Sequence, residues 1–143
     1  MSDFKKLHVW QKAHALSLSV DRVTRKIRDR HYASLRSQMF RAAASIPANI
    51  AEGRRQESEK EFARFLRYAL NSSSELEYHT ILARDTKAIP ADECISVLDQ
   101  TITVRKMLYA LLKKLGDDAT KPAGPTLPPR PRPRAGPPTA PGR

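Results

Sequence analysis

Through residue 115, apolar side chains recur every three or four positions, the spacing of one face of an α-helix, with no convincing two-residue alternation. Four seams emerge. Ala13, Leu16, Val20, Val23 and Ile27 form the first, preceded by Trp10 and closed by a charged stretch at Asp29, Arg30 and His31. The second runs Leu35, Met39, Ala42 or Ala43, Ile46 and Ile50. Phe62, Leu66, Ala69, Ser73, Leu76 and Ala83 make the third, widened by Phe65. The fourth sets Ile95, Leu98 and Ile102 beside Val97, Val104, Leu108, Leu111 and Leu115, a broader face than one partner helix needs.

Local chemistry places the boundaries. Ser58 with Glu61 fits a capping box, so the third helix starts just after Glu57. Pro90 cannot continue a helix but suits the first turn of the next, and Gly116 is a natural stop. The pattern predicts an all-α fold of four helices, each about 20 to 28 residues, in an antiparallel up-down-up-down bundle over residues 1–115.

The stretch SIPANIAEGRR, residues 45–55, interrupts this regularity with Pro47, Asn49 and Gly53. A loop at Pro47 would break the seam, yet Ile46 and Ile50 keep the register of Met39 and Ala43. One helix from about His31 to Glu52 is therefore expected, with Pro47 inside it and Gly53 at its end. An interior proline costs roughly 3 kcal/mol and strips the carbonyl four residues back, Ala43, of its donor. Asn49 lies near the seam, where its amide can satisfy a freed or facing polar group. Glu52 at a helix C-terminus faces the negative end of the macrodipole, so a cationic or hydrogen-bonding partner from elsewhere is expected. The bland alternative leaves Asn49 and Glu52 in solvent.

Composition changes after Leu115. Nine of the eleven prolines lie in residues 116–143, with almost nothing apolar, which predicts a disordered Pro/Arg-rich tail. Its PPRPRPR resembles ligands of aromatic grooves, although a solubilising basic extension suffices to explain it. Cys94 stands alone, and the charged N-terminus lacks a signal-peptide core. No apolar run is long enough to span a bilayer, so a cytoplasmic protein is expected.

Catalytic chemistry finds little support. His8, His14, His31 and His79 lack metal-ligand spacing, and Ser72, Ser73 and Ser74 have no histidine placed to activate them. No glycine loop cradles a phosphate. The chain is expected not to be an enzyme and to need no metal or cofactor. Basic residues carry more weight, since 26 Lys+Arg face 15 Asp+Glu for a formal charge of +11. One cluster gathers Arg22, Arg25, Lys26, Arg28, Arg30 and Arg36 around the first turn between helices. Another gathers Arg54, Arg55, Lys60, Arg64 and Arg67, with Glu57, Glu59 and Glu61 among them, near the opposite end. Either cluster, repeated around a ring, would track phosphates. Few aromatics interleave, which disfavours base stacking.

Three blocks, LHVWQKA, LRSQMFRAAASIPANIAEG and EFARFLRYALNSSSELEYHTILA, closely resemble the four-helix-bundle family also called the 23S rRNA intervening-sequence protein family, some of whose members are encoded within bacterial 23S rRNA genes. The likeness covers roughly residues 4–115. It implies an antiparallel bundle that assembles as a homopentamer. It also implies a fold similar to the accessory protein of diversity-generating retroelements, a pentamer that binds a reverse transcriptase and nucleic acid. The family has no settled biochemical activity. By resemblance Gln38, Arg41, Ser45, Asn49, Glu52, Gly53, Ser72 and Glu75 occupy its recurrent polar positions, around Pro47. Asn71 departs from the glycine usual there, which puts any very close helix contact at that turn in doubt. The expected function is a non-enzymatic, homo-oligomeric protein that binds RNA or DNA through its backbone. The alternative is a scaffold or accessory subunit for a protein partner.

Overall fold

The computed structural model describes residues 3–116. The expectation of a disordered tail falls almost entirely on residues outside that range. Four helices, α1 (His8–Thr24), α2 (Ala33–Arg54), α3 (Glu59–Asp85) and α4 (Ala91–Lys114), are joined by short connections, with 3₁₀ turns at Phe4–Lys6 and Arg30–Tyr32. The described residues contain no strand.

Contacts give the helix directions. Ser19 Oγ meets Gln100 Oε1 at 3.1 Å, and Lys26 Nζ meets Glu93 Oε1 at the same distance. Seven residues forward in α1 match seven backward in α4, so the two run antiparallel. Ser17 reaches Ala43 on α2, while Arg36 near the start of α2 reaches Ile27 just past α1. Ser45 on α2 touches Ser72 on α3, and Gly53 lies against Phe62 and Phe65. These pairs too are antiparallel. The molecule therefore has a two-turn end, holding the α1–α2 and α3–α4 connections. Its terminal end holds the α2–α3 connection, the start of α1 and the end of α4.

The predicted seams supply most of the core. Leu16, Val20, Met39, Ile46, Ile50, Leu66, Leu76, Val97, Val104, Leu108 and Leu112 are essentially inaccessible. Burial of such residues is what overrides the weak intrinsic stability of single helices. The fourth seam needs correction. Cys94, Val97, Thr101, Val104, Leu108 and Leu112 face the core, whereas Ile95, Ile102 and Tyr109 are exposed. Thr101 is tolerated inside because its hydroxyl donates to Val97 O at 2.7 Å.

The boundaries follow from backbone accounting. Ser58 Oγ accepts from Glu61 N at 3.1 Å, capping α3, and Glu59 and Glu61 sit favourably in its first turn. Pro90 stands one residue earlier than expected, as the N-cap of α4, its carbonyl accepting from Glu93 N and Cys94 N. α3 ends in a left-handed residue without glycine. Lys87 has φ 64°, and Ala88 N donates back to Ala83 O at 2.9 Å, the bond of a Schellman closure. Gly116, with φ 82°, follows α4 as anticipated.

Candidate functional site

α2 runs unbroken through Pro47, and the carbonyl that the proline orphans has found a donor. Ser17 Oγ on α1 lies 2.9 Å from Ala43 O, closer than its contact with Ala13 O at 3.2 Å on its own helix. Both groups are buried, where an unmet carbonyl costs about 1–3 kcal/mol. Ser17 was not singled out from the sequence, because its partner lies 26 residues away. The signal was present as a polar residue beside Leu16 on an apolar face.

Asn49, one position past the next turn, donates from Nδ2 to Ser45 O at 2.8 Å and to Ser45 Oγ at 3.0 Å. Ser45 Oγ in turn lies 2.8 Å from Ser72 Oγ, which fits Ser45 passing its own proton on to α3. Two expectations change here. Gly53 does not end the helix, which continues to Arg54. A Cβ at Gly53 would stand 2.7 Å from Phe65 Cβ and 2.9 Å from Phe62 Cδ1, so glycine is there to let α3 approach. Glu52 has no partner from elsewhere in the fold among the described residues. Its exposed carboxylate accepts from Gln56, four residues on, at 3.3 Å, and solvent can meet the rest of its needs. Gln38, Arg41, Ser45, Asn49 and Glu52 follow one another at three- and four-residue steps, so they share one side of α2. Ser72 is buried and Glu75 half-buried on α3.

The titratable groups are dispersed. Burial pushes the His79 imidazole below its ordinary pKa, with Glu75 opposing, and its buried Nδ1 has no hydrogen-bond partner. Burial likewise pushes the Cys94 thiol upward, away from a reactive thiolate. His14 stacks on Trp10 at 4.9 Å. Among the described residues no three of His, Cys, Asp and Glu converge on a metal position.

The two basic clusters occupy opposite ends, and the structure treats them differently. At the two-turn end Arg25 pairs with Asp21 at 2.6 Å and Lys26 with Glu93 at 3.1 Å. Arg22 donates to Ser19 Oγ, and Arg36 donates to Ile27 O at 2.8 Å. Arg28 and Arg30 remain exposed, their side chains without a hydrogen bond or ion pair to a described residue. At the terminal end Arg64 donates to Glu61 and to Tyr68 Oη, which raises its pKa, and its guanidinium stands 5.1 Å from the Phe65 ring centre. Arg54 lies over Phe62 at 5.5 Å with its Nε buried and unpaired, so it acts as a packing residue as much as a charge. Arg55, Lys60 and Arg67 are exposed. Antiparallel packing adds Lys5, Lys6, Lys113 and Lys114 to this end, which linear clustering did not reveal.

Two apolar surfaces complete the picture. An open hollow of about 640 Å³ between α1 and α2 is lined by Phe4, Trp10, Leu18, Phe40 and Pro47, with Leu18 and Phe40 exposed. On α4, Ile95, Ile102 and Tyr109 recur every seven residues along the outer side. Trp10, ahead of the first seam, and Phe65, beside the third, are half-buried within the subunit. No helix among the described residues is long and apolar enough to cross a membrane.

The sequence profile of the 23S rRNA-intervening sequence protein family matches residues 5–110, and the chain belongs to that family. A solved protein of unknown function from the S23 ribosomal protein family of Bacteroides thetaiotaomicron VPI-5482 has the same fold. It superposes with a TM-score of 0.69 at 24% identity, over 73% of this chain and 98% of its own. No curated protein matches the chain.

Proposed function

We propose that this member of the 23S rRNA-intervening sequence protein family is a non-enzymatic homo-oligomer that binds RNA or DNA through the phosphate backbone. The observation carrying this reading is the formal charge of +11, together with exposed cations that no carboxylate among the described residues neutralises. Phosphate contacts position a protein on nucleic acid without reading bases, and lysine and arginine side chains suffice for them. The resemblance to pentameric bundles supports the assembly. So does the presence of two different apolar surfaces, the α4 stripe and the α1–α2 hollow. Joining one surface to the other on the next copy is a head-to-tail contact, which closes into a ring when the rotation permits.

The exposed Ile95, Ile102 and Tyr109 also favour a second reading, a scaffold whose partner is a protein. Salt separates the two. The protein purified without a high-salt wash is expected to carry excess absorbance at 260 nm. Its affinity for a labelled RNA or duplex DNA should fall steeply with salt. Light scattering is expected to give a multiple of the 16.1 kDa chain mass, five-fold by resemblance. Absence of binding at low salt overturns the nucleic-acid reading, and a monomeric mass at micromolar concentration overturns the assembly.

A further inference from the structure

Six large hydrophobic side chains are exposed among the described residues, and five of them fall on the two apolar surfaces. Leu18 and Phe40 stand in the α1–α2 hollow, while Ile95, Ile102 and Tyr109 form the α4 stripe. The surfaces match in length and differ in shape. Along α1 the hollow runs from Trp10 to Arg25, about 22 Å of helix, and the stripe from Ile95 to Tyr109 covers about 21 Å. On its α2 side the hollow is lined by Ala44, Ala48 and Ala51, whose short side chains leave room for a helix. The stripe is a ridge of bulky residues one heptad apart, the shape that such a trough accepts.

Helix levels make the match specific. Ser19 with Gln100 and Lys26 with Glu93 fix the height of α4 residues against α1 within one chain. For a second copy standing alongside at the same height, with its long axis parallel, the same levels apply. The second copy's Ile102 then comes level with Ser17 and Leu18, its Tyr109 with Trp10, and its Ile95 with Thr24 and Arg25.

Charge agrees with this register. Asp99 is exposed on α4, its carboxylate without a hydrogen bond or ion pair to a described residue. It lies level with Val20 of α1. The contacts of Ser17 with Ala43 and of Arg36 with Ile27 place Arg41 level with residues 19–22 of α1, across the hollow from Arg22. The exposed Arg41 side chain is likewise unpaired among the described residues, and Arg22 holds only Ser19 Oγ.

We propose that the α1–α2 hollow receives the α4 stripe of a second copy of this chain, side by side and level, with that copy's Asp99 set between Arg22 and Arg41. This rests on the homo-oligomer reading above and names its two faces and their register. Each copy keeps one hollow and one stripe, so the contact is head-to-tail and every copy can meet two neighbours. The apolar ridge supplies the buried area, and the aspartate against two arginines sets direction. Laid in reverse, α4 would bring the exposed Lys106 to those arginines instead, a like-charge contact that rejects the wrong alignment.

The test is light scattering on the full-length chain, with circular dichroism to follow helicity. Leu18→Glu disables the hollow and Ile102→Glu the stripe, each at an exposed position, and Leu18→Gln and Ile102→Gln replace them should helicity be lost. Each variant alone is expected at the 16.1 kDa chain mass, and an equimolar mixture at high micromolar concentration at twice that mass. One intact hollow and one intact stripe remain in such a pair, so growth stops there. Asp99→Arg should raise the concentration of half-dissociation about ten-fold, and Arg41→Asp in the same chain should recover part of the loss. A monomeric parent overturns this pairing and the homo-oligomer reading together. An oligomeric parent whose hollow or stripe variant keeps the parent mass overturns the choice of faces alone. Two monomeric variants whose mixture stays monomeric, or grows beyond the pair, overturn the head-to-tail pairing. A double charge variant no better than Asp99→Arg overturns the register.

Discussion

The two ends of the bundle carry comparable numbers of cations and put them to different use. At the two-turn end Asp21 and Glu93 answer Arg25 and Lys26, and Arg36 is turned inward onto a backbone carbonyl. At the terminal end the lysines contributed by the first and last turns of the chain stand without carboxylate partners among the described residues. Counted along the sequence, the cluster from Arg22 to Arg36 is the denser one. Counted in space it is the more neutralised, because α4 begins there with Asp92 and Glu93. A run of like charges says little about a surface until the fold shows which opposite charges come home beside it.

The contrast can be broken most forcefully at the α2–α3 contact on the terminal end. Gly53→Ala drives a methyl group into Phe65 and Phe62, and should lower stability by about 1–3 kcal/mol in denaturant unfolding. An unchanged midpoint would mean that α3 does not sit as close as described. Ser17→Ala should cost about 1–3 kcal/mol by orphaning Ala43 O, and Pro47→Ala in the same chain should return part of that loss. Additive effects would dissolve the link between proline and serine. At the two-turn end the expected change has the opposite sign. Lys87→Gly relieves a left-handed side chain and should stabilise by about 1 kcal/mol. Smaller still is the coupling of Lys26 with Glu93, which a double-mutant cycle should place below about 1 kcal/mol, since both side chains are partly exposed. A larger value would make that end a structural lock and not merely a neutralised surface.

The smallest effect is on pH dependence. Because burial lowers the His79 pKa, the unfolded chain binds a proton more readily, starting near the ordinary histidine value of about 6.5. His79 therefore contributes stability above that pH and loses it as pH falls through the lower folded value. His79→Gln should flatten the decline of thermal midpoint between neutral and mildly acidic pH. Parallel curves for parent and variant would remove His79 from the account.

Much of the fold was legible because it is written locally. The seams around Leu16, Ile46, Leu66 and Leu108, the Ser58 cap and the helical reading of Pro47 all rest on residues within a turn or two of one another. What escaped depends on distant neighbours. Gly53 read as a helix stop because its φ and its contact with Phe65 are not sequence properties. Ile95 and Val97 differ only in rotation about the helix axis, and a broad apolar face leaves that rotation open. The closure of α3 at Lys87 carried no glycine to announce it. Of the candidate site, the family blocks marked out Ser45, Asn49 and Ser72, whose hydrogen bonds the structure supplies. The lysines at residues 5, 6, 113 and 114 lie at opposite limits of the described chain and become neighbours only through the topology.

The bond from Ser17 to Ala43 also bears on how α1 and α2 are aligned. Apolar seams built from Ala, Val, Leu and Ile tolerate sliding, since one turn of slip replaces a hydrophobe with another. A slip of one turn moves the serine hydroxyl by about 5.4 Å, beyond any hydrogen bond to the carbonyl left open above Pro47. The misregistered bundle would keep most of its buried area yet hold an unmet carbonyl in its interior, a penalty of about 1–3 kcal/mol. A proline that weakens its own helix thus becomes a keyway, and the serine opposite is the key that fits one alignment.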